Sequence, residues 1–525
     1  MPRKLRPLLA GACVLLLLLP GCSVPLLGGD EDGDPGPGPA STGQAAPGVS
    51  GGPPRWRDCP EVPKKLVGRG AEGMTYQCAT IRVPRDWAAP AGGTLEVALL
   101  RARSAKQSRR IGSLLLNPGG PGSSGIDTAV YLSFGPRFGG LSDAVTSRFD
   151  LVGFDPRGVG RSSPVKCVPD ADFDAYFGAD QDPVSEADFA ALAALNKRIG
   201  AACAAKLGPG GPATFATERA ARDMDAVRAA VGDQKLTYLG YSYGTLLGAT
   251  YAQLFPQRVR ALVLDGAVDP RADAIVGSEN QARGFEKAFG TFAAWCRRTP
   301  KDCAVAPDAR AALTAALDRA RRSPVRGAGD RRATAGWIFW ATVSSLYTRT
   351  GCSELATALD RLAGGDPKKV FELADRYVER EPSGRYANMF DAFLTVGCAD
   401  SEQRVSVARV RQLQGQWRAA YPLFGPALAT GLLTCSSWPG ARDPYPTGEA
   451  VGAPPIVVVG TTGDPATPYE QTAKLADMLG VGRVLTWEGE GHTAYPETPC
   501  VTRAVDSYLV DLTVPAPGLR CPARG

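Results

Sequence analysis

Three side chains, Ser242, Asp464 and His492, are spaced along the chain as a nucleophile, an orienting acid and a base would be. Ser242 sits in Gly240-Tyr241-Ser242-Tyr243-Gly244, a G-x-S-x-G pattern. Residues 236–239 before it have the β-branched and aromatic content of a short buried strand. Residues 245–255 after it read as a helix stopped at Pro256. A serine on so sharp a strand-to-helix turn is lifted above the sheet edge, at the positive end of the helix. Its hydroxyl is a poor nucleophile until a base of near-neutral pKa takes the proton. The chain contains a single histidine, so an imidazole base must be His492. That residue follows the last strand, 484–487, where it would enter from above the same sheet edge. Asp464 follows the strand 455–460, and its carboxylate would orient the imidazole and stabilise the imidazolium. Alternative acids are Asp265, at the end of the strand 259–264, and Glu488 or Glu490, which lie too near His492 in sequence for the usual geometry. Thr467 is placed to hydrogen-bond Asp464.

Other elements must position these groups. The strand 111–116 runs into Asn117-Pro118-Gly119-Gly120-Pro121-Gly122-Ser123-Ser124-Gly125, where glycine lets backbone N–H groups face a ligand. The lysine and Ser/Thr of a phosphate-binding P-loop are missing. An oxyanion hole fits better, with the N–H of Gly119 or Gly120 joining that of Tyr243. The strand 149–154 leads into Asp155-Pro156-Arg157-Gly158-Val159-Gly160-Arg161-Ser162, a rigid loop in which Arg157 or Arg161 pins neighbouring segments. Residues 219–231 have helical spacing. Strand and helix alternate here, which predicts a mostly parallel sheet. From about Arg271 the pattern changes to helices alone. Phe285, Phe289 and Phe292 share one helical face, as do Leu355, Leu359 and Leu362 behind a Ser353 cap. Asp366-Pro367 opens another helix carrying Val370, Leu373 and Tyr377. Residues 271–445 thus read as a helical cap inserted between a first core part, 55–270, and a second, 446–525. The second part closes with a helix, 503–512, behind Thr502.

Composition narrows the function classes. A net charge of +6 over 525 residues is too dilute for nucleic-acid binding, and no basic stripe is interleaved with aromatics. At the N-terminus Arg3, Lys4 and Arg6 precede an apolar run, 8–20, too short for a membrane span. It ends Leu19-Pro20-Gly21-Cys22, which resembles a bacterial lipobox. Residues 1–21 would then be a signal peptide and Cys22 a lipidated membrane anchor; ordinary secretion is the alternative. Either route places the protein outside the cytoplasm. Residues 22–54, rich in Gly, Pro, Ala and Ser, cannot bury enough apolar surface to fold and read as a spacer. Without Cys13 and Cys22, eleven of the 13 cysteines remain, in a compartment that permits disulfides. No C-x-x-C pair is present, so a zinc site is not expected. Nearness in sequence pairs Cys59–Cys78, Cys167–Cys203, Cys296–Cys303, Cys398–Cys435 and Cys500–Cys521, leaving Cys352 over.

Taken together, 117–125, 155–162, 240–245, 463–468 and 491–492 resemble the secreted tripeptidyl-aminopeptidase-like branch of the α/β-hydrolases, actinobacterial enzymes grouped with the prolyl aminopeptidases. The resemblance runs from about Trp56 to Cys521. It implies an α/β-hydrolase fold with a helical cap and a serine exopeptidase that takes short peptides from free N-termini without a cofactor. A carboxylesterase or lipase with the same triad is the alternative. Prolyl aminopeptidases carry histidine where Asn117 or Pro118 stands, so their proline preference is not implied. Exopeptidase action calls for a desolvated carboxylate in the cap to hold the substrate ammonium. Asp400, in Gly397-Cys398-Ala399-Asp400, is the first expectation and Glu286 the second.

Overall fold

The computed structural model describes residues 53–208, 211–438 and 443–523. The expected signal segment, Cys22 and nearly all of the spacer lie outside the described residues. In chain order the strands are β1 (Arg57–Asp58), β2 (Met74–Pro84), β3 (Thr94–Ser104), β4 (Gly112–Asn117), β5 (Phe149–Phe154), β6 (Leu236–Tyr241), β7 (Val259–Asp265), β8 (Val325–Arg326), β9 (Arg332–Ala333), β10 (Ile456–Gly463), β11 (Gly482–Glu490) and β12 (Arg520–Cys521). Ten of them form one sheet in the order β1-β2-β3-β5-β4-β6-β7-β10-β11-β12. From β5 to β12 neighbouring strands are parallel, while β1, β2 and β3 add an antiparallel edge.

The sheet is mostly parallel because its central segments can be covered on both faces. Every residue of β4, β5 and β6 is buried. Leu115 belongs to the apolar layer on one face, Leu114 and Leu116 to that on the other. Successive side chains in a strand alternate faces, so a strand buried at every position must be sandwiched. Each such leucine contributes about 1.5–3 kcal/mol by leaving water. The long strand β2, flanked by β1 and β3, has no counterpart in the sequence reading. From Ala79 to Val83 it alternates buried Ala79, Ile81 and Val83 with exposed Thr80 and Arg82, the pattern of a half-covered antiparallel strand, while Tyr76 is buried in the opposite layer.

Between β7 and β10 the chain leaves the sheet and forms helices from Ala274–Arg298 to Leu433–Ser436. Phe285, Phe289 and Phe292 are buried along the first, Leu355, Leu359 and Leu362 along Gly351–Ala363, and Val370 and Leu373 along Lys368–Val378. This stretch is not helix alone, since β8 and β9 pair as a short hairpin. Two cap residues also differ from expectation. Ser353 lies inside its helix, donating to Thr350 O, and the final helix, Pro499–Asp511, is capped by Thr498, with Thr502 one turn in. Five disulfides join Cys59–Cys78, Cys167–Cys203, Cys296–Cys303, Cys398–Cys435 and Cys500–Cys521. Cys352 is unpaired and half-buried.

Candidate active site

Ser242 joins β6 to the helix Tyr243–Leu254 at φ 55, ψ −123, a conformation that costs a non-glycine residue of order 1–3 kcal/mol. The surroundings hold it there. Its N–H donates to Asp265 O at 2.8 Å, and its carbonyl accepts from Thr245 Oγ1 at 2.7 Å. Tyr238 OH fixes the Gly244 carbonyl at 2.8 Å. A Cβ on Gly240 would stand 2.4 Å from Gly244 O, so the tight bend requires glycine there.

The loop after β10 brings in Asp464, nearly inaccessible to solvent. Its carboxylate accepts from Ala466 N at 2.9 Å and from Thr467 N at 2.8 Å, and Thr467 Oγ1 donates to its second oxygen at 3.0 Å. His492 Nδ1 lies 2.9 Å from both carboxylate oxygens. A carboxylate only accepts, so Nδ1 carries the proton and Nε2 keeps its lone pair. The backbone fixes the ring as well: His492 N–H donates to Tyr347 O at 2.8 Å, and the Tyr347 ring meets the imidazole edge-on at 5.2 Å. Burial works against the imidazolium, but the charge and hydrogen bond of Asp464, joined by the charge of Asp265, outweigh it and raise the His492 pKa above its ordinary value. Glu488 pairs with Arg520 and Glu490 with Arg349, so neither approaches as a third acid. Asp265 sits behind the histidine loop, bonded to Ala494 and Tyr495 N–H rather than to the ring.

After β4 the glycine loop passes directly over the Ser242 turn. Gly119 was one of two expected oxyanion donors, but its N–H is taken up by Asn117 Oδ1 at 3.0 Å. Its lack of a side chain is what matters, because a Cβ there would lie 2.4 Å from Tyr241 O and 2.9 Å from Tyr243 N. Gly120 N–H and Tyr243 N–H have no acceptor among the described residues, and Gly120 and Ser242 line the same cavity. Those two amides are the available pair. In the following loop Arg157 is fully buried, bonded to both Asp223 oxygens and to the carbonyls of Pro84, Arg85 and Thr214. Arg161 reaches Asp127 at 2.8 Å.

The cavity has a volume of about 1040 Å³ and holds both Ser242 and His492. Neither expected ammonium ligand lines it. Asp400 turns the other way: its two oxygens accept from Thr217 N at 2.8 Å and Thr217 Oγ1 at 2.6 Å. Thr217 Oγ1 in turn accepts from Tyr243 OH at 2.5 Å. Asp400 therefore braces Tyr243, the residue after Ser242, through Thr217. Glu286 bonds Arg310 at 2.8 Å and Leu423 N at 3.0 Å, tying cap helices together. Three other carboxylates line it: Asp127 is held by Arg161 and Glu381 by Arg385, while the Glu379 carboxylate has no hydrogen-bond or ion-pair partner among the described residues. Burial, followed by the like charges of Asp127 and Asp155, pushes its pKa up to about 7. Sequence reasoning missed it, although a signal existed. Glu379 ends the helix Lys368–Val378 in a left-handed turn, φ 52, where the helix dipole favours a cation and the backbone favours glycine. Phe285, Trp340, Tyr347, Tyr377 and Phe390 make much of the remaining wall aromatic.

Comparison with known proteins gives the family. A family model described as the alpha/beta hydrolase fold matches residues 112–499. The chain is 38% identical to "Serine protease Hip1" of Mycobacterium tuberculosis over 489 residues, 90% of this chain and 91% of that one. It is 35% identical to "Carboxylesterase B" of the same species, covering 99% and 98%. To "Tripeptidyl aminopeptidase" of Streptomyces lividans it is 30% identical, covering 89% and 86%. A mostly parallel sheet with a serine at a strand-to-helix turn, matched over this length by a serine protease and a tripeptidyl aminopeptidase, places the chain in the α/β-hydrolase family, in the branch that includes tripeptidyl aminopeptidases.

Proposed function

We propose that this serine hydrolase is an extracytoplasmic aminopeptidase that releases di- or tripeptides from free N-termini through an acyl-enzyme, with Ser242, His492 and Asp464 as its triad. Ser242 Oγ attacks the scissile carbonyl carbon while its proton passes to His492 Nε2. Gly120 and Tyr243 N–H receive the oxyanion. The C–N bond then breaks, the imidazolium gives its proton to the leaving amine, and water repeats the sequence on the ester to free the short peptide. Asp464 keeps the imidazole in the required tautomer, and Thr467 holds the carboxylate.

One observation carries the exopeptidase part: an unpaired, half-buried carboxylate, Glu379, in the cavity that contains the nucleophile. An isolated charge in such a place is costly unless a cation meets it. A substrate α-ammonium supplies that cation, and a blocked or internal peptide segment does not. The aromatic wall suits apolar side chains on the released peptide. The lipobox-like Leu19-Pro20-Gly21-Cys22 supports attachment to the outer face of a membrane through Cys22, with 22–54 as a tether.

Esterase action is the second reading, favoured by the aromatic lining and by the carboxylesterase among the relatives. A tripeptide p-nitroanilide, its N-acetylated twin and a short p-nitrophenyl acyl ester separate the two. The free peptide is expected to be cut at least a hundredfold more efficiently than the acetylated one. Equal turnover of both peptides would rule out ammonium recognition, and fast turnover of the ester alone would favour the esterase.

A further inference from the structure

Asp265 lies at the junction of the proposed catalytic elements without touching substrate. It closes β7 and is completely inaccessible to solvent. Its backbone carbonyl accepts the Ser242 N–H at 2.8 Å. Its carboxylate accepts from Ala494 N at 2.9 and 3.1 Å and from Tyr495 N at 2.7 Å, two and three residues beyond His492. The next residue, Gly266, has φ +73 and packs so closely that a Cβ would lie 3.2 Å from His492 Cε1 and 3.1 Å from Thr467 Oγ1. One dipeptide therefore meets the nucleophile turn, the base and the residue that steadies the acid.

We propose that Asp265 is a positioning residue for hydrolysis: it fixes the nucleophile turn and the histidine loop to one point, and its charge stabilises the imidazolium formed when Ser242 is deprotonated. This rests on His492 being the base, not on any peptide preference. Two amide donors alone would not call for a carboxylate, since an asparagine or serine oxygen can accept them. A buried charge with no cationic side chain among the described residues is expensive unless something positive arises near it. His492 is what can become positive there, and the Asp265 charge acts on it. The other titratable groups facing Asp265 are Asp464 and Tyr241, the latter also near Glu497. Burial, only partly opposed by the two amides, raises the Asp265 carboxyl to about 7, so it titrates in the range where the enzyme would work.

The single histidine gives the test a clean reporter. Protein made without a histidine tag has one imidazole Cε1–H resonance, whose titration reads the His492 pKa directly. In Asp265→Asn that pKa is expected to fall by about one unit, with kcat for the best substrate at pH 7 reduced about tenfold and KM little changed. A folded variant with unmoved pKa and kcat would overturn the proposal. So would a loss of kcat with the imidazole pKa unmoved, which would leave Asp265 a mere anchor. Should that variant not fold, Asp265→Ser, which keeps an acceptor for the two amides without the charge, carries the same test: a lowered imidazole pKa is expected, and an unmoved one overturns the idea. Failure of wild-type Ser242 to react with a fluorophosphonate would instead sink the hydrolase reading, whatever the resonance does.

Discussion

At the scale of single residues, the site depends on where protons sit. Asp464→Asn would present an amide N–H to His492 and favour the tautomer with Nε2 protonated, unable to accept from Ser242. Its kcat is expected to fall on the order of ten-thousandfold, and Ser242→Ala or His492→Ala by more, with no further loss on combining them. Thr467→Val removes one donor from the Asp464 carboxylate. That should cost about 1 kcal/mol, near fivefold in kcat. Glu379→Gln keeps the shape of the cavity and removes its charge. KM for a free tripeptide should rise at least thirtyfold, about 2 kcal/mol, while the acetylated peptide is unaffected. The pH dependence has a definite sign. Glu379 becomes charged as pH rises through about 7, and the substrate ammonium is lost above about 8. KM for free peptides should therefore pass through a minimum between those values, and KM for the acetylated peptide should not.

At the scale of elements, the nucleophile turn is braced by the cap as well as by the sheet. Asp400 ends the helix Met389–Asp400, and through Thr217 it holds the Tyr243 side chain. Thr217→Val would leave the Tyr243 hydroxyl and one Asp400 oxygen without their buried partner. We expect a loss of about 1–3 kcal/mol in unfolding free energy and a severalfold drop in kcat at unchanged KM. Urea denaturation and steady-state kinetics on the same variant check both. The core elements were legible from sequence because β4, β5, β6 and β10 each carry a short apolar run, and Gly240 and Gly244 mark a bend that only small residues permit. The direction in which cap side chains point was not legible. Asp400 and Glu286 have the right chemistry for an ammonium, but partners distant in sequence, Thr217 and Arg310, take them. Glu379 stands out in sequence only as a non-glycine acid just past a helix end, and the packing of that helix against the cap helices Ala335–Leu346 and Gly351–Ala363 sets it in the cavity. Gly119 shows the same limit, because one hydrogen bond from Asn117 decides which amide is available.

For the whole molecule, the two parts of the sheet are separated by the helical insertion and rejoined through β7 and β10, so Ser242 and the Asp464–His492 pair come together only in the folded chain. The disulfides act on that fold unequally. Cys398–Cys435 closes a separation of 37 residues and Cys296–Cys303 one of 7. Chain entropy makes loss of the former costlier by about 1.5 kcal/mol, which paired Cys→Ser variants and thermal unfolding would measure. Buried carboxyls set a second global trend. Asp265, Glu379 and Asp400 are each raised to about 7, so between about pH 4 and 7 the folded chain holds protons that the unfolded chain has released. Their contribution to stability is greatest at the acid end and declines as pH rises through 7.

The kinetic expectations rest on Ser242 being activated by the sole imidazole of the chain. Covalent labelling with a fluorophosphonate, followed by intact mass and peptide mapping across pH, tests this most directly. One adduct on Ser242 is expected, its rate rising as His492 loses its proton and collapsing in His492→Ala. A folded wild-type protein that takes no adduct at Ser242, or a His492→Ala variant that labels equally fast, would contradict it.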